Sequence, residues 1–260
     1  MTFETISVTR RAAAALIAFN RPKVLNAINT QCIAESLAAL RQADVDPDVR
    51  VIVFTGSGER AFTAGADIGE LRGFGPADII NYNRGWLDLF RGIEMCRKPV
   101  IAAVKGWATG GGTELSLACD FVICGSSAKF GLAEIDIGVI PGAGAAVRAT
   151  RWLGRLRAKE LVMLGRQLSG VEAVEWQLAN RCVPDEQLET VVDEFVNALA
   201  EKAPLALGAA KMSINVGAEA SHDVALEYEL QEFARLFTTD DRQEGMSAFL
   251  EKRKPNFTGR

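Results

Sequence analysis

The sequence predicts a mixed α/β core followed by a helical region, and three observations carry that prediction. Residues 51–55 (VIVFT), 100–104 (VIAAV) and 121–124 (FVIC) are continuous apolar runs bounded by Gly, Pro or charge, as strands covered on both faces require. Residues 32–43 and 77–96 place apolar side chains at helical spacing, and strands alternating with helices in this way build an α/β core. Beyond about Ala143 the strand signals fade and helical spacing takes over.

Taken in order, residues 6–9 and 14–19 read as a hairpin whose second strand is softened by its alanines. The strands and helices named above follow. Then come helices at residues 155–164, 171–179, 188–202, 205–216, 222–237 and 241–252. Ser169 and Glu172 have capping-box spacing, and Asp240 is placed to cap the last helix. Pro204 interrupts the helical series. The expected division is a core over residues 1–200 and a helical appendage over 201–260. The appendage carries Leu226, Leu230, Phe233, Phe237, Phe249 and Leu250, which need a surface to cover, on the chain's own core or on a neighbouring subunit.

Bulk properties remove several functional classes. With 48% apolar and 24% charged residues the 260-residue chain has a globular composition, and its net charge of -4 argues against a general nucleic-acid binder. The Lys252–Arg253–Lys254 run reads as a solvated helix face or as a phosphate contact. Residues 1–11 are short and polar with no apolar segment behind them, so no signal peptide is expected, and no apolar stretch is long enough to span a bilayer. Cys32, Cys96, Cys119, Cys124 and Cys182 are irregularly spaced with no CxxC pair. They read as reduced thiols of a cytoplasmic protein, and no metal site is expected. The single histidine, His222, has no GxSxG elbow to serve.

Three glycine-rich segments remain. Gly142 and Gly144 are not part of a GxGxxG fingerprint, and no P-loop occurs. Gly110–Gly111–Gly112 stands between the 100–104 strand and an apolar run. It reads as a tight strand-to-helix turn, or as a helix start that a ligand approaches closely, where unpaired N–H groups favour negative charge. Residues 62–67 (FTAGAD) pair small side chains with a possible backbone contact in the same way. Glu114, in the first turn after the glycines, is either a surface acid that complements the helix dipole or a group of the site. Glu134 lies among Leu132, Ala133, Ile135 and Ile137, where partial burial raises a carboxyl pKa toward the range useful for proton transfer. Asp136 competes for that role on the same grounds.

Together these segments resemble the enoyl-CoA hydratase/isomerase (crotonase) superfamily, nearly end to end. The similarity runs through Asn20–Arg21–Pro22 with Asn26–Ala27, residues 61–68 (AFTAGADI), 98–104 (KPVIAAV), 110–120 (GGGTELSLACD), 130–144 (FGLAEIDIGVIPGAG) and 239–257 (TDDRQEGMSAFLEKRKPNF). The resemblance implies a spiral of ββα units and a helical C-terminal region that builds trimers or hexamers. It implies an oxyanion hole from the N–H groups of Ala66 and Gly111, and two hydratase acids at Glu114 and Glu134. Asp136 has no counterpart. Coenzyme A contacts are implied for Ala64, Ala66, Asp67, Ile68 and Gly69, beside Gly111, and for Phe249 and Lys252, which in some relatives come from a neighbouring subunit.

The activity so implied is hydration of a trans-2-enoyl-CoA thioester to a 3-hydroxyacyl-CoA, with no metal or redox cofactor, coenzyme A being part of the substrate. Alternatives on the same scaffold are double-bond isomerisation, dehydration of a specialised hydroxyacyl-CoA, or RNA binding without catalysis. Departures from the family pattern are Ala145–Ala146–Val147 in a stretch that is often Gly-rich and polar, Thr109 where Leu is common, and Gly69 where Lys is common.

Overall fold

The computed structural model describes residues 3–260. Its elements in chain order are β1 (Ile6–Arg11), β2 (Ala14–Phe19), α1 (Thr30–Val45), β3 (Val51–Gly56), β4 (Ala61–Thr63), α2 (Ile68–Leu71), α3 (Pro76–Met95), β5 (Val100–Val104) and β6 (Trp107–Thr109). There follow α4 (Gly111–Ala118), β7 (Phe121–Gly125), β8 (Lys129–Gly131), α5 (Ala145–Leu153), α6 (Arg155–Met163), β9 (Gln167–Ser169), α7 (Gly170–Glu175) and β10 (Arg181–Val183). Four helices close the chain: α8 (Leu188–Ala200), α9 (Pro204–Gly217), α10 (His222–Leu236) and α11 (Asp240–Glu251).

The strands form two sheets. The larger has the order β1-β2-β3-β5-β7-β10 and the smaller β4-β6-β8-β9. Each turn of the chain lays one strand in the large sheet, the next in the small one, and then a helix: β3-β4-α2/α3, β5-β6-α4, β7-β8-α5/α6. This is the spiral of ββα units that the resemblance implies. From β2 through β10 the large sheet is parallel, and only β1 runs antiparallel to β2.

Alternation along β3 explains why its run is apolar throughout. Ile52 and Phe54 point into the main core beneath α1 and α3, whereas Val51 and Val53 meet Leu188, Val192 and Val196 of α8 on the opposite face. Helix α3 buries Tyr82, Trp86, Leu89, Phe90 and Ile93 as one helical stripe. Helix α9 is tied to the core by Lys211, whose Nζ donates to Ile93 O, Lys98 O and Asp120 Oδ2 at 2.7, 3.2 and 2.7 Å. Helix α10 packs back along α9 with no buried residue of its own. The turn at residues 201–203, where the division between core and appendage was expected, separates α8 on the sheet from α9.

Several expectations need correction. Strand signal does not end at Ala143: β9 and β10 follow, and α5 precedes the first helix expected there. The 171–179 helix stops at Glu175, because Gln177 turns into the left-handed region with φ 68° and sends the chain toward β10. The capping box of Ser169 and Glu172 is present, with both side chains bonded to backbone N–H groups. The last helix, however, is capped by Thr239, whose hydroxyl accepts Arg242 N at 3.1 Å; Asp240 is its first residue. Nor is Lys252–Lys254 a helix face. Lys252 is the left-handed cap, Arg253 pairs with Glu244 and Glu251, and Lys254 pairs with Glu201.

Candidate active site

The site is built where two turns of the spiral touch. The FTAGAD loop leaves β4 and is clamped from the N-terminal motif. Asn26, buried, donates to Ser57 O and Ala61 O at 3.0 and 2.8 Å. Thr63 Oγ1 donates to Asn26 O at 2.7 Å and accepts Gly65 N at 3.0 Å. Arg21 Nη1 reaches Asp67 Oδ2 at 2.8 Å and Ala27 O at 2.5 Å. Asp67 also caps α2 by accepting Gly69 N at 3.1 Å, so its carboxylate is spent on holding the loop.

Gly65, at φ 85°, lies so close to the glycine turn that a Cβ there would stand 2.6 Å from Thr109 O and 3.0 Å from Gly111 N. Gly110 has φ 53° and ψ −121°, a conformation that a side chain resists. A Cβ on Gly111 would meet the Trp86 ring at 2.9 Å, and one on Gly112 would meet Thr63 O at 2.8 Å. The glycines therefore serve close backbone approach as well as turning. The turn is locked by Thr113, which donates to Ala108 O at 2.6 Å and accepts Gly131 N at 3.0 Å. The N–H groups of Ala66 and Gly111 donate to no acceptor among the described residues, and Gly111 N is the first amide of α4, where the helix dipole adds positive potential.

Glu114 is not a surface acid. Every residue of α4 is buried, and Glu114 is 4% exposed. Its Oε1 accepts Ala143 N and Ala145 N at 3.1 and 3.0 Å. Burial raises its carboxyl to about 7, and the Glu134 charge adds to the rise, while the two N–H donors and Arg148 oppose it. Glu134 opens a short 3-10 turn over residues 134–137. Its Oε1 lies 2.9 Å from where a Gly110 Cβ would be, and its Oε2 is buried without a hydrogen-bond partner. Burial raises its pKa as well. Asp136, two residues on, is exposed and faces Gly165, away from the glycine turn.

Other predicted residues are placed less directly. Ala64 has both main-chain groups engaged: its N–H donates to Leu25 O at 2.9 Å, and its C=O accepts Thr109 Oγ1 at 3.1 Å. Ile68 and Gly69 are exposed at the start of α2. Phe249, 83% exposed, and Lys252 are not brought to this site within one chain. Their helix α11 closes on its own tail, with Asp241 accepting Thr258 N and Gly259 N. Sequence reasoning missed Trp86 beneath the glycine turn and Arg148 beside Glu114. Both reach the site only through tertiary packing, which leaves no local signal in the sequence.

Comparison with known proteins gives these features a family. Residues 9–260 match the family described as enoyl-CoA hydratase/isomerase. The chain is 40% identical to a probable enoyl-CoA hydratase of Mycobacterium tuberculosis over the full length of both chains. It is 38% identical to a crotonyl-CoA hydratase of Syntrophomonas wolfei, covering 99% of each. The fold matches the crystal structure of an enoyl-CoA hydratase from Bacillus anthracis with a TM-score of 0.95 at 38% identity, covering 99% of this chain and 100% of that one. The chain therefore belongs to the enoyl-CoA hydratase/isomerase family.

Proposed function

We propose that this protein hydrates trans-2-enoyl-CoA thioesters to 3-hydroxyacyl-CoA. The observation that carries the reading is the pairing of two carboxyl groups, both pushed upward by burial, beside a turn whose leading amide is unpaired. An enoyl thioester becomes electrophilic at its β-carbon only when charge can flow to the thioester oxygen. In this reading the N–H groups of Ala66 and Gly111 take that oxygen, each lowering the barrier by about 3–4 kcal/mol, as oxyanion-hole donors do elsewhere. Glu114, oriented by its two backbone donors, positions a water and removes its proton as the oxygen attacks the β-carbon. Glu134 delivers a proton to the α-carbon. The pair thus starts with one proton on Glu134 and ends with one on Glu114, and dehydration runs the steps backward.

Coenzyme A binds in this proposal along residues 64–69, with Ala64, Ala66, Asp67, Ile68 and Gly69 lining its path, Ala64 through the second lone pair of its carbonyl, and with Phe249 and Lys252 arriving from a neighbouring subunit. Exposed Leu226, Leu230 and Phe233 on α10 support assembly into a trimer or a dimer of trimers. No metal or redox cofactor takes part in the scheme, and neither nucleic acid nor membrane is a partner; no helix among the described residues is long and apolar enough to cross a bilayer. The five free cysteines support a reducing, cytoplasmic setting. The test is to incubate the protein with crotonyl-CoA and follow the conjugated absorbance. Decay to an equilibrium mixture is expected. No decay with crotonyl-CoA, alongside turnover of a 3-enoyl-CoA, would replace hydration with isomerisation.

A further inference from the structure

The turn over residues 142–145 holds Glu114 but belongs to no strand or helix until Ala145 begins α5, and it contains Gly142 and Gly144. Such a segment keeps two N–H groups on one carboxylate oxygen only if something outside it fixes its shape. Arg148 is in place to do so. Its Nη1 donates to Ala143 O at 2.9 Å, so Ala143 is gripped through its carbonyl by Arg148 and through its N–H by Glu114. Its Nε donates to Glu94 Oε1 at 2.6 Å, and the guanidinium lies 5.4 Å from the centre of the Phe90 ring. Glu94 is itself anchored, since Asn215 of α9 donates to its carbonyl at 3.0 Å. Gly144 has φ 100°, and a Cβ there would stand 2.5 Å from Arg148 Nη1, so the guanidinium occupies the space a side chain would need. The Arg148 side chain is 14% exposed.

We propose that Arg148 is a positioning residue for hydration, holding the 142–145 turn so that its amides fix the Glu114 carboxylate against the reacting water. The inference rests on the hydratase reading and deepens it. Two consequences separate it from a purely structural ion pair. Without the guanidinium the Ala143 and Ala145 donors drift, which lowers kcat while leaving the coenzyme A loop at residues 64–69 untouched. The loss of a nearby cation also removes one of the influences that hold the Glu114 pKa down, so its ionised form, the base, dominates only at higher pH. The charged groups facing Glu114 are Arg148 from α5 and Glu134. From α3, Glu94 acts through Arg148 and Tyr82 is bonded to Ile28 O. Strands β4 and β6 carry no titratable side chain, and Lys129 of β8 lies over the Trp107 ring.

The experiment is steady-state crotonyl-CoA hydration by wild type, Arg148→Met and Arg148→Lys as a function of pH. For Arg148→Met, kcat should fall about tenfold to a hundredfold, as small misplacements of a catalytic group do, with KM nearly unchanged and the acid limb moved to higher pH. Arg148→Lys keeps the charge but not the planar fork, so it should lose kcat with the limb near its wild-type position. A fall in kcat without a moved limb in Arg148→Met would make the residue merely structural and overturn the proposal. Wild-type kcat in either variant would overturn it too. Should Arg148→Met fail to fold, the neutral Arg148→Gln takes its place and is judged by the same two criteria, the fall in kcat and the moved acid limb. Wild type inactive on crotonyl-CoA would remove the hydratase reading instead.

Discussion

Helices α4 and α10 divide polar and apolar groups in opposite unexpected ways. All eight residues of α4 are buried, and one of them is a carboxylic acid. Helix α10 buries none of its fifteen residues, yet Val224, Leu226, Leu230 and Phe233 are each more than half exposed. An acid inside and phenylalanine outside both run against the usual partition. In α4 burial raises the Glu114 pKa, and the fold offsets part of that cost with two N–H donors and the Arg148 cation. Helix α10 packs along α9 but leaves Leu226, Leu230 and Phe233 exposed, and in the proposed assembly another subunit covers them. In the proposed function the burial cost in the first region would serve chemistry, and the exposed area in the second would serve assembly.

Breaking the first region should have the larger effect. Glu134→Gln removes the proposed proton donor without removing volume, and kcat for crotonyl-CoA should fall about a thousandfold or more, with little loss of coenzyme A binding measured by calorimetry. Near-normal turnover would show that the acid lies elsewhere.

Glu114 also leaves a stability signature. Its folded pKa of about 7 lies above the ordinary 4.5, so between those values the folded state holds more protons than the unfolded state and stability falls as pH rises. Glu114→Gln abolishes that fall. The variant should therefore gain about 3 kcal/mol relative to wild type between about pH 4 and pH 8, read from denaturant unfolding at the two pH values. Parallel pH profiles would mean the carboxyl is not raised.

The second region gives the smallest effect on the chain itself. Phe233→Ser should shift light-scattering mass toward the monomer, while the intrinsic stability of that monomer changes by no more than about 0.5 kcal/mol, as for other exposed sites. An unchanged assembly would place the subunit contact elsewhere.

The same contrast explains what was legible in the sequence. The large-sheet strands from residue 51 to 125 announced themselves because runs of four or five apolar residues, bounded by Gly, Pro or charge, read as strands covered on both faces. The small sheet did not: Trp107–Ala108–Thr109, Lys129–Phe130–Gly131 and Gln167–Leu168–Ser169 are three residues each, too short for any period, and they exist because the neighbouring strand supplies the partner. Glu114 and Glu134 stood out only in combination with the glycine turn. On residue chemistry alone Asp136 was an equal rival, and what sets it apart is that the 3-10 turn points it at Gly165. Arg148 gave no local sign, because its value lies in a carbonyl five residues back and a glutamate fifty-four residues away.

In the proposed reaction two acids deliver the elements of water across one double bond, and proton NMR of crotonyl-CoA turnover in D2O follows where each element goes. The expected product is a 3-hydroxybutyryl thioester carrying a single deuterium at its α-carbon and a new hydroxyl-bearing β-carbon. A product that keeps its double bond and gains deuterium at the γ-carbon would contradict it.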